Sequence, residues 1–164
     1  MGSGRSGLYS GASPAGLSPV AGDLVFRSNP YDYFDYMSRR KDVDPDGKFD
    51  IVAHGSSEII KLEINGKELL VDARTISRIV AHSKKHKRKQ PIRLLSCDTG
   101  SKADGFAQNL ANKLNTIVYA PTHLVWAYPS GIHIVAPANP NNPKYPHPTQ
   151  RGSFIPFYPG GKKK

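Results

Sequence analysis

The chain carries a single cysteine, Cys97, in 164 residues, so no disulfide can form within it. It contains no run of 18 apolar residues, so no helix is expected to cross a bilayer. Its first residues, Met1-Gly-Ser-Gly-Arg-Ser-Gly, lack the apolar stretch of a secretory signal and read as a linker cut out of something longer. No internal repeat is visible. Acidic residues are few: 13 Asp and Glu stand against 23 Lys and Arg, a formal net charge of +10. That balance points to an acidic partner, a nucleic acid or an anionic surface, unless the cations only solvate a helix end and a tail. Two clusters supply much of it, Lys84-Lys85-His86-Lys87-Arg88-Lys89 and Lys162-Lys163-Lys164. What is present suffices for a core: hydrophobic residues make up 38% and charged ones 22%, which excludes wholesale disorder, and the length favours one domain.

The ends dilute that core. Residues 1–22 are rich in Gly, Ser, Ala and Pro and read as a flexible lead-in; residues 159–164 read as a basic tail. Residues 137–150 are dense in Pro and Asn, which excludes a helix or a central strand there. The domain is therefore expected over residues 23–158, with its core between about 24 and 136. Tyr31 to Arg40 reads as a short aromatic helix opened by Asn29-Pro30, and Asp44-Pro45-Asp46-Gly47 as a turn. Asn65-Gly66 between two alternating runs, Ile59 to Ile64 and Lys67 to Val71, predicts a hairpin. Asp72 is placed to cap a helix over 73–87 whose apolar positions Ile76, Ile79 and Val80 fall at helical spacing. A second helix is expected over 103–114. Further strands are expected at Thr116 to Ala120, Leu124 to Trp126 and Ile132 to Val135, with Ser153 to Tyr158 as an edge strand. Apolar strands alternating with helices predict an α/β fold: a central parallel or mixed sheet flanked by helices, with a β-hairpin insertion.

Two segments carry chemistry. In Phe49-Asp-Ile-Val-Ala-His-Gly55 an apolar strand delivers His54 to a sheet edge, followed by a glycine whose backbone a ligand can approach. In Ile92-Arg-Leu-Leu-Ser-Cys-Asp-Thr-Gly100 a second buried strand ends at Cys97. In such sheets ligands bind beyond the carboxyl ends of the strands. The 43 residues between His54 and Cys97 hold a hairpin and a helix, enough to lay the second strand beside the first. Thiol catalysis needs a sulfur nucleophile, an imidazole to move the proton, and donors for the developing oxyanion; the N–H groups of Gly55 and Cys97 are placed for the last task.

These segments resemble the caspase-like clan of cysteine peptidases, which includes caspases, clostripain-like and gingipain-like proteases, and the self-cleaving domains of large bacterial toxins. The stretch from Ser96-Cys-Asp-Thr-Gly100 through Gly105-Phe-Ala-Gln-Asn-Leu-Ala-Asn-Lys-Leu-Asn-Thr-Ile-Val-Tyr-Ala-Pro-Thr-His-Leu-Val-Trp126, with the late Gly152-Ser-Phe-Ile-Pro-Phe-Tyr-Pro-Gly-Gly161, is similar to C-terminal toxin modules of bacterial Rhs and wall-associated polymorphic toxins. The resemblance covers about residues 49–158. It implies a caspase-like core with His54 and Cys97 as the dyad and Gly55 at the oxyanion hole, a protein substrate, and no cofactor or metal. It also implies secretion as part of a larger protein, delivery into a target cell, and a cognate immunity protein. The chain departs from caspases around the nucleophile, with Leu-Ser-Cys-Asp-Thr-Gly in place of Gln-Ala-Cys-x-Gly, so the pocket for the residue before the scissile bond does not carry over. Ser56, Asp98, Trp126 and Ser130 are expected to line the substrate cleft; Asp98 alternatively caps the helix that follows it.

Other patterns compete. A papain-like order, Cys97 before a helix and His133 on a later strand, leaves His54-Gly55 unexplained. Acyl transfer and deamidation use the same Cys97. His82 and His86 stand four apart, as in zinc helices, but without a neighbouring glutamate and among lysines, so they read as surface residues. The Lys84–Lys89 cluster admits a nuclease or nucleic-acid binder, though no aromatic interleaves with it.

Overall fold

The computed structural model describes residues 23–43 and 47–161. The lead-in, most of the Asp44–Gly47 turn and the terminal lysines lie outside the described residues. Among the described residues are eleven strands and three α-helices: β1 Leu24–Phe26, α1 Asp32–Met37, β2 Phe49–Gly55, β3 Ile60–Ile64, β4 Lys67–Val71, α2 Ala73–His82, β5 Ile92–Leu95, α3 Phe106–Leu114, β6 Val118–Pro121, β7 Leu124–Ala127, β8 His133–Ala136, β9 Ala138–Asn139, β10 Asn142–Pro146 and β11 Phe154–Phe157. The main sheet runs β11-β6-β5-β2-β3-β4, with β1 paired to β2. Strands β1, β2, β5 and β6 are parallel to their neighbours among themselves; β3, β4 and β11 are antiparallel. The fold is thus α/β with a mixed sheet, and β11 forms its edge.

Two apolar layers sandwich the sheet because side chains alternate along each strand. Ile51, Ala53, Ile92, Leu94 and Val118 face α2 and α3, where Ile76, Val80, Phe106 and Leu110 are fully buried against them. Val25, Val52 and Leu95 face the other way, onto Phe34 and Met37 of α1. Each fully buried Leu, Ile or Phe contributes about 1.5–3 kcal/mol of transfer free energy, so the larger layer carries most of the stability.

Local signals account for the connections. Asn65 and Gly66 both have positive φ, 52° and 78°, the geometry a tight two-residue hairpin requires. The Asp72 carboxylate accepts from the Thr75 N–H at 3.1 Å and starts α2. That helix stops at His82 rather than at Lys87. The Ser83 hydroxyl donates to the Val80 carbonyl at 2.8 Å and Lys84 turns left-handed, φ 62°. His82 and His86 therefore sit on different elements: His86 lies in a loop, half-buried edge-on against Phe49 with ring centroids 5.1 Å apart. Strand β1 is too short to show a period. Strands β7 and β8 pair with each other and not with the sheet. Residues 137–150 hold only the small hairpin of β9 and β10.

Candidate active site

Every residue pair between β2 and β5 is offset by 43 positions, from Phe49 opposite Ile92 to Val52 opposite Leu95. His54 and Cys97 are separated by the same 43 residues. The pairing ends at Val52 and Leu95; His54 lies on the last residues of β2, and Cys97 lies in the turn just beyond the carboxyl end of parallel β5. The His54 ring and the Cys97 sulfur both neighbour Tyr33 of α1, so both lie on the α1 side of the sheet.

Helix α1 builds the wall they face. The His54 ring lies edge-on to Phe34, centroids 4.9 Å apart, and tilted against Tyr33 at 5.5 Å. The Tyr33 hydroxyl donates to the Leu95 carbonyl at 2.8 Å, fixing the helix over the strand end that leads to Cys97. Burial of that hydroxyl, and then the adjacent Cys97 sulfur, hold Tyr33 well above the usual phenol range, so it remains a donor.

The imidazole is oriented by backbone. His54 Nε2 lies 2.9 Å from the Pro30 carbonyl. A carbonyl only accepts, so Nε2 carries the proton; the ring also meets the Ser28 backbone. Burial lowers the His54 pKa from its ordinary value, and the Lys61 cation on paired β3 also disfavours imidazolium. Both effects favour the neutral ring.

Cys97 is half-buried, and its sulfur is bracketed by the Val125 backbone of β7. The Val125 N–H donates to Sγ at 3.3 Å, and the thiol donates to the Val125 carbonyl at 3.7 Å. Burial pushes the thiol pKa up, and the Asp98 carboxylate adds to that. At rest the sulfur is thus a protonated thiol paired with Val125, not a thiolate paired with imidazolium. Its reaction with iodoacetamide is expected to be slower than that of a free thiol at pH 7, because the rate follows the thiolate fraction. The rate should keep rising with pH past the free-thiol range near 8.5. An inflection below pH 7, measured by intact mass, would instead require a resting ion pair.

The expected neighbours divide. Gly55 belongs at this rim: a Cβ there would collide with the Ser96 hydroxyl and lie 3.1 Å from Thr99 Cγ2, so only glycine lets the two strand ends approach. Ser56 holds the β2–β3 turn, its hydroxyl accepting from the N–H groups of Glu58 and Ile59, both at 3.3 Å. Asp98 follows the sulfur in a left-handed conformation, φ 60°, and its N–H donates to the His123 carbonyl at 3.0 Å. It does not cap the next helix. That helix starts at Phe106, and its first N–H groups donate to the carbonyls of Ser57 and Thr99. Trp126 follows Val125 on β7, its indole fixed by donation to the Ala136 carbonyl at 2.9 Å.

Ser130 is not brought to this rim. It lines a cavity of about 590 Å³ with Lys41, Asp42 and His133. Asp42 is bound there to Arg93, four residues before Cys97 on the same face. His133 faces Asp42, Nε2 to Oδ2 3.7 Å, and not the sulfur. A second cavity, about 810 Å³, adjoins the loop after Cys97 at Gly100 and Ser101, with His123, Ile155 and Phe157 on its walls. Tyr33, Pro30 and Val125, which orient the imidazole and bracket the sulfur, carry no sequence signal beyond an aromatic helix, its proline opener and an apolar strand.

The family described as a domain of unknown function (DUF8616) matches residues 23–135, a span that includes both strand ends. No curated protein and no solved structure matches the chain.

Proposed function

The chain belongs to the DUF8616 family, and we propose that it is a caspase-like cysteine peptidase with Cys97 as nucleophile and His54 as base and acid. The observation that supports this reading is the hydrogen bond from His54 Nε2 to the Pro30 carbonyl, on a ring packed against the same Tyr33 that neighbours the Cys97 sulfur. A nucleophile, a base, and a third group orienting the base are the parts a covalent mechanism needs.

The steps follow from those parts. Cys97 Sγ attacks the peptide carbonyl carbon while its proton passes to Nδ1 of His54. The oxygen takes up the negative charge, stabilised by the N–H groups of Gly55 and Cys97. The C–N bond then breaks, and His54 returns the proton to the leaving amine. Water, deprotonated by the same imidazole, hydrolyses the thioester and restores the thiol. Because neither partner is charged at rest, attack and proton transfer are coupled. A backbone rearrangement at Val125 frees the sulfur when substrate displaces β7's hold on it.

The resemblance of residues 96–126 to polymorphic-toxin modules extends the proposal. The domain is the toxic tip of a larger secreted bacterial protein, held in check by an immunity protein. Wild type, Cys97→Ala and His54→Ala are to be expressed in bacteria, with growth followed and new protein termini mapped by mass spectrometry. Growth arrest with new termini in wild type alone is the expected result. Arrest that persists in both variants would sink the peptidase. Arrest lost in both without new termini would assign the same dyad to acyl transfer or deamidation.

A further inference from the structure

All 13 acidic residues lie at or before Asp104, and none occurs in residues 73–97 or 105–164. The fold gathers much of that acid-free sequence onto one face. Helices α2 and α3 pack side by side on the sheet. Arg74, Arg78 and His82 are exposed at four-residue spacing, which aligns them in a stripe along α2. The stripe runs into loop 83–90, where Lys84, Lys85, Lys87, Arg88 and Lys89 are exposed, and Lys113 stands exposed in the last turn of adjacent α3.

This loop is a built surface, not a tail. Lys84 and Lys89 both adopt left-handed backbone, φ 62° and 66°. Between them the Lys87 N–H donates to Gln90 Oε1 at 3.0 Å, and His86 is anchored on Phe49 and on the Gln90 carbonyl at 2.8 Å. Asp23, which interacts electrostatically with Lys85, also accepts the Asp50 N–H at 2.8 Å. The loop leads into the amino end of β5, whereas Cys97 follows its carboxyl end, so the length of that strand, about 13 Å, separates the two.

We propose that this α2–loop–α3 face binds the phosphodiester backbone of nucleic acid, duplex in preference to single strand, without reading sequence. Four of the five loop cations are lysines, which act as point charges toward phosphates and are depleted from protein–protein interfaces. Neither α2 nor the loop carries Phe, Tyr or Trp, and Phe106 of α3 is buried, so these elements offer no large ring for stacking unpaired bases. The surface is independent of Cys97.

The test is fluorescence anisotropy with a labelled 20-base-pair duplex of arbitrary sequence and with its single strand, between 50 and 200 mM NaCl. If about five cations meet phosphates, log Kobs should fall against log salt with a slope of about −4 to −5. The variant Lys84→Gln/Lys85→Gln/Lys87→Gln/Arg88→Gln should flatten that slope to about −1 and weaken binding at least 30-fold at 100 mM salt. Arg74→Gln/Arg78→Gln, which leaves the loop intact, should remove about one unit of slope, so a folding defect in the loop variant does not blunt the test. Cys97→Ala should bind as wild type does. Absence of binding at 50 mM salt, or variants that bind as tightly as wild type, would overturn the proposal. Poly-L-glutamate competing as well as the duplex at equal charge would overturn it in favour of an acidic protein partner.

Discussion

Removing the Cys97 sulfur is expected to lower kcat/KM toward an amide substrate by about a thousandfold or more, which is a loss of about 4 kcal/mol of transition-state stabilisation. His54→Ala should cost about a hundred- to ten-thousandfold, the range for a positioned acid–base group. The double variant should be no slower than Cys97→Ala alone, because the two side chains act on the same proton. Multiplying losses would mean that they serve separate steps. The pH profile adds a second criterion. His54 must be neutral to accept the thiol proton, and burial holds its pKa below the usual histidine value. As pH falls through that lowered pKa the ring protonates and the rate falls. The acid limb of kcat/KM should therefore have its midpoint below about 6.5. On the alkaline side the raised thiol pKa keeps the resting sulfur protonated, so no second limb is expected between pH 7 and 8.5. A midpoint above 6.5, or loss of the limb in Tyr33→Phe but not in His54→Ala, would contradict His54 as the base.

Strands β2 and β5 were legible because each is a short apolar run bounded by glycine or proline, and their carboxyl ends put His54 and Cys97 on one rim of the sheet. The hairpin at Asn65-Gly66, the Asp72 cap and the edge strand at residues 154–157 were legible for equally local reasons. What lay beyond reach depends on contacts distant in sequence. Nothing near Pro30 says that its carbonyl will meet an imidazole 24 residues on. Nothing near Val125 says that its backbone will bracket a sulfur 28 residues earlier. Helix α3 starts later than its pattern suggests because its first N–H groups are satisfied by the Ser57 and Thr99 carbonyls, so no side-chain cap marks the start. Helix α2 ends before its basic run because Ser83 back-bonds the last turn, a choice propensity alone does not make. Ser130 is expected at the cleft from the resemblance to the caspase-like clan, whose loops there line it, whereas the β7–β8 turn carries it to the Asp42 cavity.

The same face of the sheet that holds the rim hides a charged network below it, and breaking that network is the second change expected to have a large effect. Asp50 precedes His54 by four residues on β2, with a side chain only 4% exposed. Its carboxylate receives Arg93 through Nε at 2.9 Å and Nη2 at 2.8 Å, and Arg40 through Nη2 at 3.0 Å. The Arg40 side chain is itself fully buried. Asp42 closes the network on Arg93 at 3.0 Å and on Arg40 at 3.4 Å. Asp50→Ala would leave a buried guanidinium without its main counter-charge, a change that typically costs about 3–5 kcal/mol. Against a total stability of about 5–15 kcal/mol, that should lower the melting temperature by on the order of 10 °C, read by circular dichroism. Replacing the three charges together with Asp50→Leu/Arg40→Leu/Arg93→Met should recover much of the loss, because the desolvation of all three disappears with them. A melting temperature within 2 °C of wild type in Asp50→Ala would show that the network carries no structural burden. Its place in the chain gives it a further consequence. Arg40 lies just beyond α1, so the Asp50 carboxylate ties the end of that helix to β2, and α1 carries the Tyr33 and Phe34 that wall in His54. Asp50→Ala should therefore lower kcat even at temperatures where the protein remains folded, while Ile79→Val, on the opposite face of the sheet, should not.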